Sequence, residues 1–197
     1  MGSLVTEIPN SEVTATLELL DHLGVSREDL TRFRKSSSRT RTEVAKLLRE
    51  GKGEHVIDCD ADPYIPKNCT VEEHQKGGEL IFDTSQLALY LDEEQGTYGG
   101  IEGDKLRQRL IGKPVLNANL LDHLLKNPYL IPEDWKADSA GNARRIFFWG
   151  TVYRDSAGDL QVRFLLWDEP LNKWYWDFSR TYGRAWRENH PAAVRVQ

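Results

Sequence analysis

The last third of the chain carries the pattern that most restricts its fold. Arg145 to Tyr153, Leu160 to Trp167 and Lys173 to Phe178 are three runs rich in β-branched and aromatic residues, a composition suited to a pleated, partly buried surface. The links between them, Asp155-Ser156-Ala157-Gly158-Asp159 and Glu169-Pro170-Leu171-Asn172, are turn-forming and too short for a crossover helix. Only antiparallel neighbours can be joined that way, so the runs predict a C-terminal antiparallel β-meander. Further strands are expected at His55 to Cys59, Glu79 to Asp83 and Gln86 to Leu91, with helices at about Asp104 to Ile111 and Ala118 to Lys126. Pro128 and Pro132 close the second of these helices.

The opening residues follow a different period. Val13, Leu17, Leu20 and Leu23 recur at helical spacing from Ser11, with Gly24 as a left-handed stop. A second helix starts after Ser26, where Asp29 three residues on completes a capping box, and Leu30 and Phe33 form its buried side. Val44, Leu47 and Leu48 mark a third from about Thr42 to Glu50. The fold class expected is therefore α+β, an N-terminal three-helix module (residues 1–52) followed by a mixed domain (53–197).

Charge separates the same two parts. From Ser26 to Lys52 nine bases face four acids, a net of +5, so the remainder carries −10 of the chain's total of −5. Leu19, Leu23, Val25, Leu30 and Phe33 surround the turn Gly24-Val25-Ser26 with the spacing of a DNA-binding helix-turn-helix. A recognition helix there would present Arg27, Thr31, Arg32, Arg34 and Lys35, with Arg27 on a guanine edge and the others near phosphates. Glu28 and Asp29 in its first turn would repel a nucleic-acid backbone, yet they equally complement the helix dipole. A plain helical hairpin or protein-docking module is the preferred reading, with nucleic acid the alternative partner.

No apolar run reaches the roughly 18 residues of a membrane span. Two cysteines cannot form a disulfide scaffold and no signal peptide is evident, so a cytoplasmic protein is expected. His55, Cys59, Cys69 and His74 are of zinc-ligand type but lack paired ligand clamps. Asp58, Asp60 and Asp62 alternate, and in a strand they would share one face and need a hard cation. Since no calcium-loop Gly or Glu follows, a solvated acidic strand end is the preferred reading of the cluster, and a metal-dependent enzyme built on it is the third function, after an interaction protein and a nucleic-acid binder. The Gly96 to Lys105 loop departs from a phosphate-binding loop, with Asp104 expected as a helix N-cap. His22, His123 and His190 have no spaced triad partners. No cofactor is expected.

Strict alternation in the meander would put Ile146, Phe148, Val152, Val162, Phe164, Leu166, Trp174, Trp176 and Phe178 on a core face. Phe147, Trp149, Thr151, Tyr153, Arg163, Leu165, Trp167 and Tyr175 would lie opposite, as an aromatic binding face with an interleaved arginine. The competing expectation is a sheet covered on both faces, with the Leu120 to Leu125 helix packed on one. The function expected is that of a non-catalytic binding or interaction protein.

Leu116-Asn117-Ala118-Asn119-Leu120-Leu121-Asp122-His123-Leu124-Leu125, Leu130-Ile131-Pro132-Glu133-Asp134-Trp135 and Phe147-Phe148-Trp149-Gly150-Thr151-Val152-Tyr153-Arg154 together resemble a family. It comprises small uncharacterised proteins predicted from the genomes of candidate-phyla (Parcubacteria-type) bacteria. The similarity runs through most of residues 55 to 194, including Val56-Ile57-Asp58-Cys59-Asp60-Ala61-Asp62-Pro63. It implies a bacterial origin but no reaction, cofactor or catalytic residue. Leu23-Gly24-Val25-Ser26-Arg27-Glu28-Asp29-Leu30 resembles a helical module that precedes varied bodies in proteins from such genomes.

Overall fold

The chain forms two compact units, Met1–Gly53 and Glu54–Gln197. Its computed structural model describes residues 10–22, 25–41 and 55–196. In the first unit, helix α1 spans Asn10–His22 and α2 spans Arg27–Arg34. The Ser26 hydroxyl accepts from the Asp29 N–H at 3.2 Å while the Asp29 carboxylate accepts from the Ser26 N–H at 3.0 Å, so a reciprocal capping box starts α2. Leu30 is half-buried, but Phe33 is exposed, as are Val13 and Leu17 on α1. The buried side expected for α2 is thus incomplete, because five of its eight residues are charged and hold it in solvent. Helical backbone resumes at residues 38–41. The rest of the expected third helix, and Gly24, lie outside the described residues.

The second unit contains strands β1 (Val56–Asp58), β2 (Cys69–His74), β3 (Glu79–Ile81), β4 (Leu87–Tyr90) and β5 (Ile101–Glu102), then helices α3 (Gly103–Arg109) and α4 (Ala118–Lys126). Strands β6 (Arg145–Asp155), β7 (Leu160–Asp168), β8 (Lys173–Arg180), β9 (Ala185–Trp186) and β10 (Ala192–Arg195) follow. The main sheet has the order β4-β10-β6-β7-β8, and β2 pairs with the far half of β6. Two-stranded ladders β1–β3 and β5–β9 flank it. Both helices and strands contribute, as an α+β chain requires.

The sheet is buried on both sides. Leu120, Leu121 and Leu124 of α4 pack with Ile57, Leu80, Ile146, Phe148 and Leu165 on one face. On the other, Ile101, Leu106, Leu110 and Trp186 cover Phe147, Trp149, Val152, Val162 and Phe164. Phe147 lies opposite Phe164 and Ile146 opposite Leu165, so the sequence reading set these strands one residue out of step. A register shift between Phe147 and Val152 then reverses the alternation, and Val152 joins the Phe147–Trp149 side.

Gly150 sits in that shift. Its N–H donates to the Leu116 carbonyl at 3.0 Å, and its carbonyl accepts from the Gln75 N–H at 2.6 Å. A Cβ on Gly150 would stand 2.9 Å from the Asn117 N, Cα and Cβ, a close approach that only glycine permits. Asn117 caps α4 through its Oδ1, which accepts from the Asn119 N–H at 3.1 Å. Its Nδ2 donates to the carbonyls of Cys59 and Gln75. The Thr151 hydroxyl accepts from the Ala118 N–H at 3.0 Å and meets His74 Nδ1 at 2.9 Å. Since His74 Nε2 faces the Cys59 carbonyl at 3.1 Å, it carries the proton, and Nδ1 accepts from Thr151.

On the second face His190 lies edge-on to Phe147 and Trp186. Its Nδ1 accepts from the Arg187 N–H and its Nε2 is 3.2 Å from the Arg145 guanidinium. Burial, with Arg145, Arg184 and Arg187 adding repulsion, lowers its pKa to about 4.

Gly150→Ala is expected to cost about 1–3 kcal/mol in urea denaturation, because Asn117 and the capped helix must move away. The His190 shift predicts stability that is complete above its unfolded pKa near 6.5 and falls as pH drops toward 4, by up to about 3 kcal/mol. His123, depressed chiefly by burial, acts in the same direction. His190→Gln should flatten part of the slope in a pH series of denaturation curves; an unchanged slope would exclude His190 as a source.

Candidate functional site

A row of partly accessible aromatic side chains lies along β8. Trp174, Trp176 and Phe178 alternate with Tyr175 and Asp177, so they share one side of the strand. Trp174 and Trp176 are half-buried, Phe178 is 38% exposed and Tyr64 beside them is 55% exposed. Trp174 meets Trp167 edge-to-face at 5.3 Å, and Trp176 meets Tyr64 likewise at 5.9 Å. The Lys136 ammonium sits 3.9 Å over the Trp167 ring.

Arg163 supports this row from below. Its side chain is 1% exposed and makes a two-pronged contact with Asp122 of α4, at 2.6 and 3.1 Å. The guanidinium stacks 4.0 Å from the Trp176 ring and 5.3 Å from that of Tyr64. Tyr153 donates its hydroxyl to the Tyr64 carbonyl at 3.0 Å. Burial raises the Tyr153 pKa, with Arg163 opposing the rise.

Strand β8 pairs with β7 and forms one end of the main sheet. The Phe178 N–H bonds to the Asp177 carboxylate at 2.8 Å, whereas the Thr181 N–H reaches the Leu160 carbonyl. Antiparallel alternation therefore points the backbone groups of Trp174, Trp176 and Phe178 away from β7. An aromatic row and outward N–H and C=O groups coincide on this edge, with the Phe178 N–H already taken up by the Asp177 carboxylate.

The aromatic face expected from sequence is largely inaccessible. Phe147, Trp149, Tyr153 and Arg163 are each at most 5% exposed, because α4 and the α3–β5–β9 cover leave neither sheet face open at β6. Trp167 and Tyr175 are half-buried and do not join them: Trp167 faces Trp174, while Tyr175 pairs with Leu166. Trp174 and Trp176, assigned to the core by alternation, do pack against the α4-side core while staying half-buried, and Phe178 at the end of their row is exposed. Gly150 within an apolar run was the available sign of a shift in register.

In the first unit Arg27, Arg32, Arg34 and Lys35 are exposed, and Arg32 approaches Asp29 at 3.4 Å. Thr31 is half-buried and donates its hydroxyl to the Arg27 carbonyl.

The proposed metal-ligand sets do not converge. Strand β1 ends at Asp58, so alternation does not continue to Asp60 and Asp62. Asp58 accepts from the N–H groups of Asp60 and Ala61, and Asp60 from that of Gly78. His55 instead meets His123 at 3.1 Å and Tyr129 at 3.1 Å, and His74 meets the Cys59 carbonyl, not its thiol. Among the described residues no three His, Cys, Asp or Glu side chains gather as a metal-binding group. Asp104 lies in the first turn of α3, whose N-cap is Glu102, and Lys105 pairs with Glu94 at 2.6 Å. Among the described residues no helix is long and apolar enough to cross a membrane.

No family model, curated protein or solved structure matches the chain.

Asp122→Ala leaves the Arg163 charge buried without its partner and is expected to cost about 3–5 kcal/mol. Arg163→Met should cost less, roughly 1–3 kcal/mol, because the remaining Asp122 side chain is 24% exposed and can hydrate. Chemical denaturation of both variants tests this ordering; equal losses would show that the guanidinium stack matters more than its compensated charge.

Proposed function

We propose that this is a non-catalytic interaction protein that adds an extended protein strand to the β8 edge, and that a second copy of the chain is the strand it takes. The observation carrying this reading is the open edge itself, where outward backbone groups coincide with the row Trp174, Trp176 and Phe178. The reading treats β6, β7 and β8 as a meander whose last strand is open, and the first unit as a separate three-helix module.

The edge's charges select the partner. Lys173 and Asp177 are exposed, and neither has an ion-pair partner among the described residues. In a two-fold antiparallel pairing with Tyr175 opposite Tyr175 of the second copy, each Lys173 stands opposite an Asp177 and each Trp174 opposite a Trp176. Sliding the copies so that Trp176 faces Trp176 loses both ion pairs, and the next register sets Asp177 against Asp177. Only the first satisfies the backbone, the rings and the charges together.

The non-catalytic part rests on the state of the nucleophiles. Burial pushes the Cys59 and Cys69 thiols up, with Asp58 and Asp60 adding to the effect at Cys59. Both ring nitrogens of His74 are engaged, leaving it no free nitrogen with which to activate the neighbouring Cys59.

The chain is expected to form a weak, concentration-dependent dimer in sedimentation velocity. Lys173→Asp or Asp177→Lys alone sets like charges opposite each other and should weaken it about tenfold or more, while the double swap restores it. A monomer at every concentration, or a dimer indifferent to all three variants, defeats the reading. A second reading, nucleic-acid binding by α2, is favoured by the exposure of Arg27, Arg32, Arg34 and Lys35. It requires DNA or RNA affinity that falls steeply with salt.

A further inference from the structure

A cleft of about 590 Å3 is lined by the loop between β2 and β3, the start of β4, the segment entering α4 and the end of β10. It is separate from the β8 edge. Its apolar wall comprises the buried side chains of Leu80 and Leu116, with Val115 and Pro114 beside them. Lys76 and Arg195 line it as cations, and no carboxylate does. Among the described residues Lys76 has no ion-pair partner and the Arg195 guanidinium donates only to the Gln86 amide oxygen, at 3.1 Å.

Two uncompensated cations beside an apolar wall match an anionic head on an apolar body. Phosphate fits less well than carboxylate for two reasons. The α4 N-terminus at this cleft has committed its amides, Ala118 to Thr151 and Asn119 to the Asn117 side chain, so they cannot cradle a phosphate. Asp58 and Asp60 act electrostatically on Cys59, which lines the same cleft, and they oppose a dianion more than a monoanion. The Arg195 fork suits a planar carboxylate, with Lys76 as a second point charge.

We propose that this cleft binds a small organic carboxylate, its head group between Arg195 and Lys76 and its apolar body against Leu80, Val115 and Leu116. Bound this way, the ligand lies across the junction of the β1–β3 ladder with the β4–β10 edge. Occupancy therefore ties the ladder to the main sheet and raises the stability of the unit.

Octanoate, octan-1-ol and octyl phosphate are the probes, each titrated into the 15N-labelled full chain. Octanoate should shift the amide signals of Lys76, Gln86, Leu116 and Arg195 saturably, whereas octan-1-ol should not saturate and octyl phosphate should bind more weakly. Lys76→Met and Arg195→Met, both at exposed positions, should each weaken octanoate about tenfold or more. The proposal is overturned if octanoate leaves those amides unmoved, if octan-1-ol binds as tightly, or if both folded variants bind octanoate as the parent does. Tighter binding of octyl phosphate overturns the head-group assignment. Should a variant fail to fold, the three-probe comparison on the parent chain decides alone.

Discussion

The contact between Gly150 and Asn117 organises the second unit. A strand backbone and a helix cap approach there more closely than any side chain would allow. That closeness lets Gly150 spend its N–H on Leu116 and its carbonyl on Gln75. Each bond secures a different neighbour: the first holds the chain entering α4, and the second extends the alignment of β2 with β6. Asn117 completes the junction by bonding to the Cys59 and Gln75 carbonyls while its own oxygen caps the helix. Four separated stretches of chain thus meet at one buried polar knot with its bonding groups paired, which makes the arrangement specific as well as cohesive.

The reversal of side-chain alternation follows from the same contact. Beyond the shift Val152 enters the α3–β5–β9 core, and Thr151 and Tyr153 turn to the α4 side, where they bond to Ala118 and Tyr64. Without the shift a polar Thr151 would be delivered to an apolar core and Val152 to the polar knot, at a desolvation cost. On the α4 side Arg163 pairs with Asp122, and its guanidinium stacks on the rings of Trp176 and Tyr64. The open edge is therefore shaped from within by a buried ion pair. Two of its rings, Trp176 and Tyr64, stack on a guanidinium that its ion pair with Asp122 holds in place.

Elements with strong local signals were legible in the sequence. The Ala118 to Lys126 helix has an asparagine cap, leucines at helical spacing and a proline after its end, and the structure gives it those bounds. Ser26 and Asp29 form the capping box their spacing announced. Strands created by their neighbours were not legible: Cys69–His74 carries two glutamates and a histidine, and Ala192–Arg195 is short and alanine-rich. They extend because β6 and β4 offer unpaired backbone, a tertiary effect that propensity does not encode. The site was misplaced for a related reason. Counting by twos from Arg145 holds only until the chain meets a bulge, and nothing in Phe148-Trp149-Gly150-Thr151 states that Asn117 will arrive against that glycine.

Charge placement separates the two surfaces of the second unit. Residues 54–197 hold 23 acids against 17 bases, a net of −6, so the cleft's two lining cations belong to a unit of negative net charge. A local positive site in a negative field attracts an anion only at short range, after the ligand has already reached its mouth, and long-range steering is unfavourable. Such a site favours ligands with an apolar body, for which burial supplies the attraction that the field denies, over inorganic ions held by charge alone. The β8 edge works by the opposite balance. Lys173 and Asp177 cancel in net charge but not in position, so they add nothing to encounter and much to register. As proposed, one surface would discriminate by the shape of its ligand and the other by the order of residues along a strand. The backbone contact at Gly150 brings Leu116 and Asn117 to the cleft and precedes Tyr153, whose hydroxyl bonds to the Tyr64 carbonyl.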